Sequence, residues 1–211
     1  MARMHDPRAE LSPTARRVLH GAEQVILDQG FSKLTLANIS KASTENVAAV
    51  KYYFGNKAGL VKVLFDTVTY AVVSTLAAPP DDQLNGAHLG RLAAETGRLN
   101  QPTSASRIFV DVLPHALRDP VLLERLRGYY RTFFELHLEQ LRAEARVDPA
   151  SSSALNGLAS LLSAIGDGLT LQAMVAPDTF DMREALAALD LLLQYGLPGF
   201  NGDMTSEQPD Q

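Results

Sequence analysis

The chain has 211 residues, no cysteine and no tryptophan, 46% hydrophobic residues and a formal net charge of −5. That length supports one sizeable core or two small ones. The missing cysteines exclude disulfides, thiol nucleophiles and zinc ribbons, and a reducing cytoplasm is the expected compartment.

No run of 18 or more apolar residues is present, so no membrane span is expected. The opening MARMHDPRAELSP lacks an apolar signal core, so export is not expected either. Charge is uneven along the chain. Residues 1–62 hold nine Lys/Arg against five Asp/Glu, a net of +4, and the remainder carries −9. A positive N-terminal third favours approach to phosphate.

In chain order, the arm Met1–Leu11 carries Arg3 and Arg8 and is expected to be loosely ordered. Ser12-Pro13 starts a helix, a hydroxyl cap followed by proline at the first helical position. Ala15, Val18, Leu19, Ala22, Val25 and Ile26 recur on one face. Gly30 ends that helix, and Phe31 folds back onto the core. Thr35 caps a second helix to about Ala42, Asn46 a third to about Tyr52, and Asn56 a fourth from Lys57 to about Leu76. Pro79-Pro80-Asp81-Asp82 is a break.

Helical patterns then continue over Leu84–Leu99 and along Ile108, Phe109, Val112, Leu113 and Leu117, where Pro114 kinks the helix or ends it early. Asp119-Pro120 opens a long helix, Val121–Arg146. The Ser151–Ser153 cluster caps another to Val175, and Asp181 caps a last one through Tyr195. The tail from Asn201 is polar and expected to be disordered. No period-2 alternation is long enough for a sheet, so the fold class is all-α.

Thr35 to Leu60 reads as two short helices joined by a tight turn, an aromatic pair and the start of a further helix. Helix-turn-helix units have this layout when one helix is offered to the DNA major groove. Arg17, Val18, Leu19, Ala22, Gly30, Phe31, Thr35, Leu36, Ile39, Ala48, Ala49, Val50, Tyr52, Tyr53, Phe54, Asn56, Lys57 and Leu60 resemble the TetR/AcrR-type one-component repressors. The resemblance implies three N-terminal helices that bind DNA and a fourth that links them to an all-helical ligand-binding and dimerisation domain. It places a DNA-binding domain at 1–55, a ligand and dimer domain at 56–200 and the tail at 201–211. Asn46–Lys51 becomes the recognition helix, with Asn46, Val47, Ala48 and Lys51 toward the bases. Thr35, through hydroxyl and backbone N–H, and Tyr52, Tyr53 and Lys57 are then phosphate contacts. Phe54 and Leu60 read as core.

One departure stands out. Family members usually carry Ala-Gly-Val-Ser at the turn, where this chain has Ser43-Thr44-Glu45-Asn46. A glycine is missing where a left-handed residue is convenient. Glu45 is expected to turn outward toward a cation such as Lys41. An altered turn or weaker DNA affinity follows, and the alternative reading is a helical ligand- or protein-binding module with a degenerate reader.

Ala164–Gln172, Pro177 and Arg183–Leu189 also resemble that family, in which the last two long helices form a four-helix bundle with a second subunit. Small residues there permit close helix approach. Leu158, Leu161, Leu162, Ile165, Leu169, Leu186, Leu189 and Leu193 are the candidate interface, and a twofold homodimer is expected. The candidate pocket is Phe65, Thr69, Leu92, Phe109, Leu113, Tyr130, Phe133, Phe134, His137, Leu169 and Met174. It would suit a small, largely apolar effector. His137 and His115 read first as satisfied histidines and only second as ligand-orienting groups. Asp111 and His115, at i and i+4, read as a local hydrogen bond before a weak metal site. No His-Glu-x-x-His, phosphate loop or nucleophile elbow is present. The expectation is therefore a transcription factor, not an enzyme, without cofactor or metal, whose partners are an operator duplex, an effector and a second copy of itself, with no membrane.

Overall fold

The computed structural model describes residues 5–76, 103–145 and 152–196, and every regular element among them is helical. Helix α1 spans Pro13–Gln29. Ser12 Oγ accepts from the Ala15 N–H at 3.2 Å, and Gly30, at φ 85°, returns its N–H to the Ile26 carbonyl. All six residues of the apolar face of α1 are buried. A 3-10 turn follows over Phe31–Lys33.

Helix α2 (Leu36–Ser43) is capped by Thr35, and α3 (Val47–Phe54) by Asn46. Asn56 caps α4 (Lys57–Leu76), its Oδ1 accepting from the Gly59 N–H at 2.9 Å. Ser12, Thr35, Asn46 and Asn56 each satisfy an orphan N–H at a helix start, which is why these starts are legible in sequence. Helix α5 spans Ser104–Ala116 and ends two residues after Pro114. Asp119 caps α6 (Pro120–Ala145), accepting from the Val121 and Leu122 N–H groups. Helices α7 (Ser152–Val175) and α8 (Met182–Gly196) complete the set. The helix expected over Leu84–Leu99 and the tail from Asn201 lie outside the described residues.

Two compact units emerge: Met1–Thr75 with Pro102–Tyr129, and Leu76–Gln101 with Tyr130–Gln211. Compactness thus groups α4, α5 and the start of α6 with α1 to α3, whereas the sequence expectation divides the chain at residue 55. In the first unit α1 packs on α2, α3, the 3-10 turn and α5. Val18, Leu19, Leu34, Ile39, Val50 and Leu60 form its centre, all at 1% exposure or less. Burying each such aliphatic side chain contributes roughly 1.5–3 kcal/mol.

Helices α1 and α2 touch at Gly21. A Cβ there would meet Ser43 Cβ and N at 2.7 Å, so only glycine permits the crossing. The arm is more ordered than its composition implies from residue 5 onward. Arg8 pairs with the nearly buried Glu23, and Arg16 Nε donates to the Arg8 carbonyl at 3.2 Å. Helix α5 is tied to the 3-10 turn by Asp111. Its Oδ2 accepts from the Phe31 N–H at 2.6 Å, while His115 stacks on the Phe31 ring at 4.5 Å. Asp111 and His115 therefore share Phe31.

In the second unit α7 packs on α8. Leu155, Ala159, Leu162, Leu186 and Leu189 are buried there. By length and composition Ser153–Val175 is long and apolar enough to cross a membrane, with mean hydropathy 1.4, although polar residues interrupt its apolar run.

Candidate nucleic-acid interface and effector pocket

Helix α3 has two faces of different character. Val50 and Phe54, one turn apart, are buried, and Leu60 beyond them is fully buried. Asn46, Ala48, Lys51, Tyr52 and Tyr53 are exposed, and Val47 is half-buried. Tyr52 is 82% exposed, which excludes it from the core. Its ring meets Tyr53 edge-on at 4.8 Å. Asn46 Oδ1 accepts from the Ala49 N–H at 2.8 Å, which leaves the amide NH2 as its outward donor.

Thr35 is exposed at the start of α2. Its Oγ1 accepts from the Asn38 N–H and its backbone N–H donates to the Lys33 carbonyl at 2.8 Å. Only its hydroxyl proton remains for a phosphate, so the expected backbone contact is already spent inside the chain. Lys57 is exposed, with Nζ 5.7 Å from the Phe31 ring centroid.

The turn between α2 and α3 closes without glycine. Thr44 takes the left-handed conformation, φ 58° and ψ 15°. Glu45 turns to α1, where Arg17 Nε donates to its Oε1 at 2.7 Å. The partner is Arg17 instead of the anticipated Lys41. Ser40 Oγ donates to the Glu45 carbonyl at 2.5 Å and the Glu45 N–H donates to Ser43 Oγ. These contacts supply locally what a glycine would have made easy.

The pocket candidates divide between the units. Phe65, Thr69 and Phe109 are buried in the first, with Leu113 half-buried. Phe65 and Phe109 lie 6.2 Å apart, and Phe109 lies 5.3 Å from Tyr129. Thr69 Oγ1 donates to the Phe65 carbonyl. In the second unit, Tyr130, Phe134, Leu169 and Met174 are half-buried, and Phe133 packs edge-on to the fully buried His137 at 4.7 Å. Burial lowers the His137 pKa to about 4, so the ring is neutral at pH 7. Leu92 lies outside the described residues.

Asp167 was not among the sequence candidates. Its Oδ2 accepts from the Tyr130 hydroxyl at 2.7 Å. Burial raises its carboxyl pKa against the lowering effect of that hydrogen bond, and burial together with Asp167 raises that of the phenol. An acid in the middle of the small-residue run Gly166-Asp167-Gly168 was the available signal.

The interface candidates also separate. Leu162, Leu186 and Leu189 are already buried within the chain itself, so they are not available to a second subunit. Leu161 is 60% exposed, Leu158, Ile165 and Leu169 are half-buried, and Leu193 carries no described side-chain environment. Leu192, which also supplies apolar area in the sequence reading, is exposed, as are Leu171, Val175 and Leu191, which the sequence reading did not include. The run Gly157, Leu161, Ala164, Gly168, Leu171, Val175 steps by four and three along α7, one continuous stripe. A Cβ at Gly157 or Gly168 would meet nothing within 4 Å.

Residues 18–64 match the family model for bacterial regulatory proteins of the tetR family, and residues 88–197 match that for the C-terminal part of BetI-type transcriptional repressors. The HTH-type transcriptional regulator BetI of Cronobacter sakazakii is 25% identical over 198 residues, covering 92% of this chain and 96% of that protein. A transcriptional regulator from Rhodococcus sp. Rha1 superposes with a TM-score of 0.69 at 20% identity, over 88% of this chain and 96% of that one. A Saccharomonospora viridis protein solved in complex with choline gives a TM-score of 0.68 at 20% identity, over 88% and 97% of the two chains.

Proposed function

The chain belongs to the tetR family of bacterial regulatory proteins, with a C-terminal part of the BetI type, and from that premise we propose that it represses transcription by holding an operator with α3 and releasing it when an effector binds. It is a transcriptional regulator and not an enzyme. In this reading α1–α3, residues 1–55, act as the reader, and 56–200 carry the effector and dimer functions inside a cytoplasmic protein.

The observation that carries the reading is the division of α3. Its inner face is spent on the core, and its outer face presents Asn46, Ala48, Lys51 and Tyr52 to solvent. Val47 and Ala48 keep the first turn narrow enough to approach base edges, and Lys51 reaches them one turn later. Tyr52, Tyr53, Lys57 and the Thr35 hydroxyl hold the backbone.

A twofold dimer places two such helices about 34–36 Å apart or at a multiple of that spacing. The α7 stripe supports the dimer. Its glycines are not consumed by the chain's own packing, and only 22% of the apolar window of α7 is buried. This favours a second subunit over a bilayer, because the helix also carries Asn156 and Asp167.

For the effector, the second unit offers a half-buried carboxylate, Asp167, beside the Tyr130 ring, with Phe134 one turn along α6. A half-buried carboxylate held by a phenol, on a unit that also carries aromatic side chains, suits a small organic cation with an apolar body. The choline complex of the Saccharomonospora viridis protein is in keeping with that chemistry. Release requires the cation to bind the operator-incompetent state more tightly than the competent one.

A salt-dependent gel shift on the duplex upstream of the protein's own gene, with and without choline, tests the scheme. Tyr53→Phe and Lys57→Ala should weaken binding to every sequence, while Lys51→Ala should change base preference by about 1–3 kcal/mol at one position. Equal effects of all three on preference would refute the assigned roles. Binding that ignores choline would refute the cationic effector.

A further inference from the structure

We propose that the first unit holds a second small-molecule site, a cleft that takes an amphipathic organic carboxylate. Its occupancy is independent of the DNA reading above, and only its consequence for operator binding rests on that reading. The cleft has a volume of about 830 Å3 and is bounded by the end of α3, the 3-10 turn, the start of α4 and the α5–α6 turn.

Its chemistry is two-part. Phe31, Phe54, Val61 and Leu122 supply an apolar wall. Lys57, Lys62 and Arg118 supply fixed positive charge and are exposed. Asp119 is the one acidic residue in the lining, and its Oδ1 already accepts from two N–H groups of α6.

Neighbouring carboxylates are committed as well. Asp66, whose charge Lys62 feels, is paired with Arg125, and Asp111 accepts from the Phe31 N–H. Arg118 Nη1 donates to the Pro114 carbonyl at 2.8 Å, which holds the guanidinium at the end of α5 while its other N–H groups remain donors. Lys57 lies over Phe31, so cation and apolar wall adjoin.

This combination selects the ligand class. A bare oxyanion uses the cations and leaves the wall wet. A neutral apolar molecule covers the wall and leaves three cations without a counter-charge. A carboxylate on a chain of several carbons, or on an aryl ring, satisfies both, and the volume accommodates it. The bound carboxylate engages Lys57, the cation that the reader otherwise offers to phosphate. Filling the cleft therefore weakens operator binding by a route separate from the pocket of the second unit.

The experiment is isothermal titration of the full chain with octanoate and, separately, octan-1-ol. Wild type is compared with Lys62→Ala/Arg118→Ala and with Val121→Glu, which adds a repelling charge at an exposed position of the lining. Octanoate should saturate on wild type and bind at least tenfold more weakly to both variants, while octan-1-ol distinguishes them by less than twofold. Equal octanoate affinity in all three proteins overturns the proposal, as does the absence of saturable binding. An octanoate site confined to the second unit gives the first of these results.

Operator anisotropy run in parallel should show at least threefold weaker binding in octanoate. Failure to bind any duplex, with the octanoate discrimination intact, overturns the reader assignment and leaves the cleft standing.

Discussion

At Thr44 a β-branched residue sits at φ 58°, the one non-glycine residue with positive φ among those described. Such a residue is disfavoured there by roughly 1–2 kcal/mol. The turn persists because Arg17, Ser40 and Ser43 each bind Glu45. Thr44→Gly should raise the urea midpoint by a stability gain of about 1 kcal/mol and leave operator affinity within twofold. A lowered midpoint would show that the Thr44 side chain contributes more than its backbone costs.

His137 makes a prediction of the opposite kind. Its ring has a pKa of about 4 in the folded chain against the ordinary 6.5. Between those values the unfolded chain takes up the proton first, so acid favours unfolding. From pH 7 to pH 5 the wild type should lose about 2 kcal/mol relative to His137→Gln, which has no titrating ring. Parallel pH profiles in denaturant titrations of the two proteins would remove His137 from the acid response.

Two glycines fix how elements meet, and neither is marked by composition. Gly59 lies in the first turn of α4, where a Cβ would come within 2.0 Å of the Phe54 carbonyl oxygen. That atom is backbone and cannot swing aside. Gly59→Ala should therefore destabilise the protein by about 3 kcal/mol and displace the start of α4, which carries Lys57. Denaturant midpoints check the first effect and operator affinity the second. An alanine variant within 0.5 kcal/mol of wild type would mean that the α3–α4 junction gives way freely. The caps of these helices were legible because each is a one-residue polar signal. The crossing at Gly21 was not, because a close approach involves Ser43, a residue far along the chain.

For the whole molecule, the question is what covers the outer face of α7. Leu161→Glu should convert a dimer to monomers in sedimentation while the far-ultraviolet circular dichroism stays helical. Leu162→Glu, one residue on, should instead unfold the second unit, because Leu162 is fully buried. A dimer that survives Leu161→Glu would move the interface elsewhere. The sequence supplied the apolar content of α7 and α8 but not its division. Leu161 and Leu162 are alike in composition, and about 100° of helix rotation sends one inward and the other to solvent.

The sequence by itself determined the helical class, the polar starts of α1 to α4 and the family. These depend on local spacing: a cap accepts from an N–H two or three residues on, and a helix face repeats every three or four. Only the tertiary structure decided that Glu45 finds Arg17, that Asp111 and His115 share Phe31, that Tyr130 hydrogen-bonds Asp167, and which leucines of α7 remain outside. Those outcomes join residues from 28 to 84 positions apart, or turn on the orientation of a helix against its neighbours. Such pairings are set by packing, which no local pattern encodes.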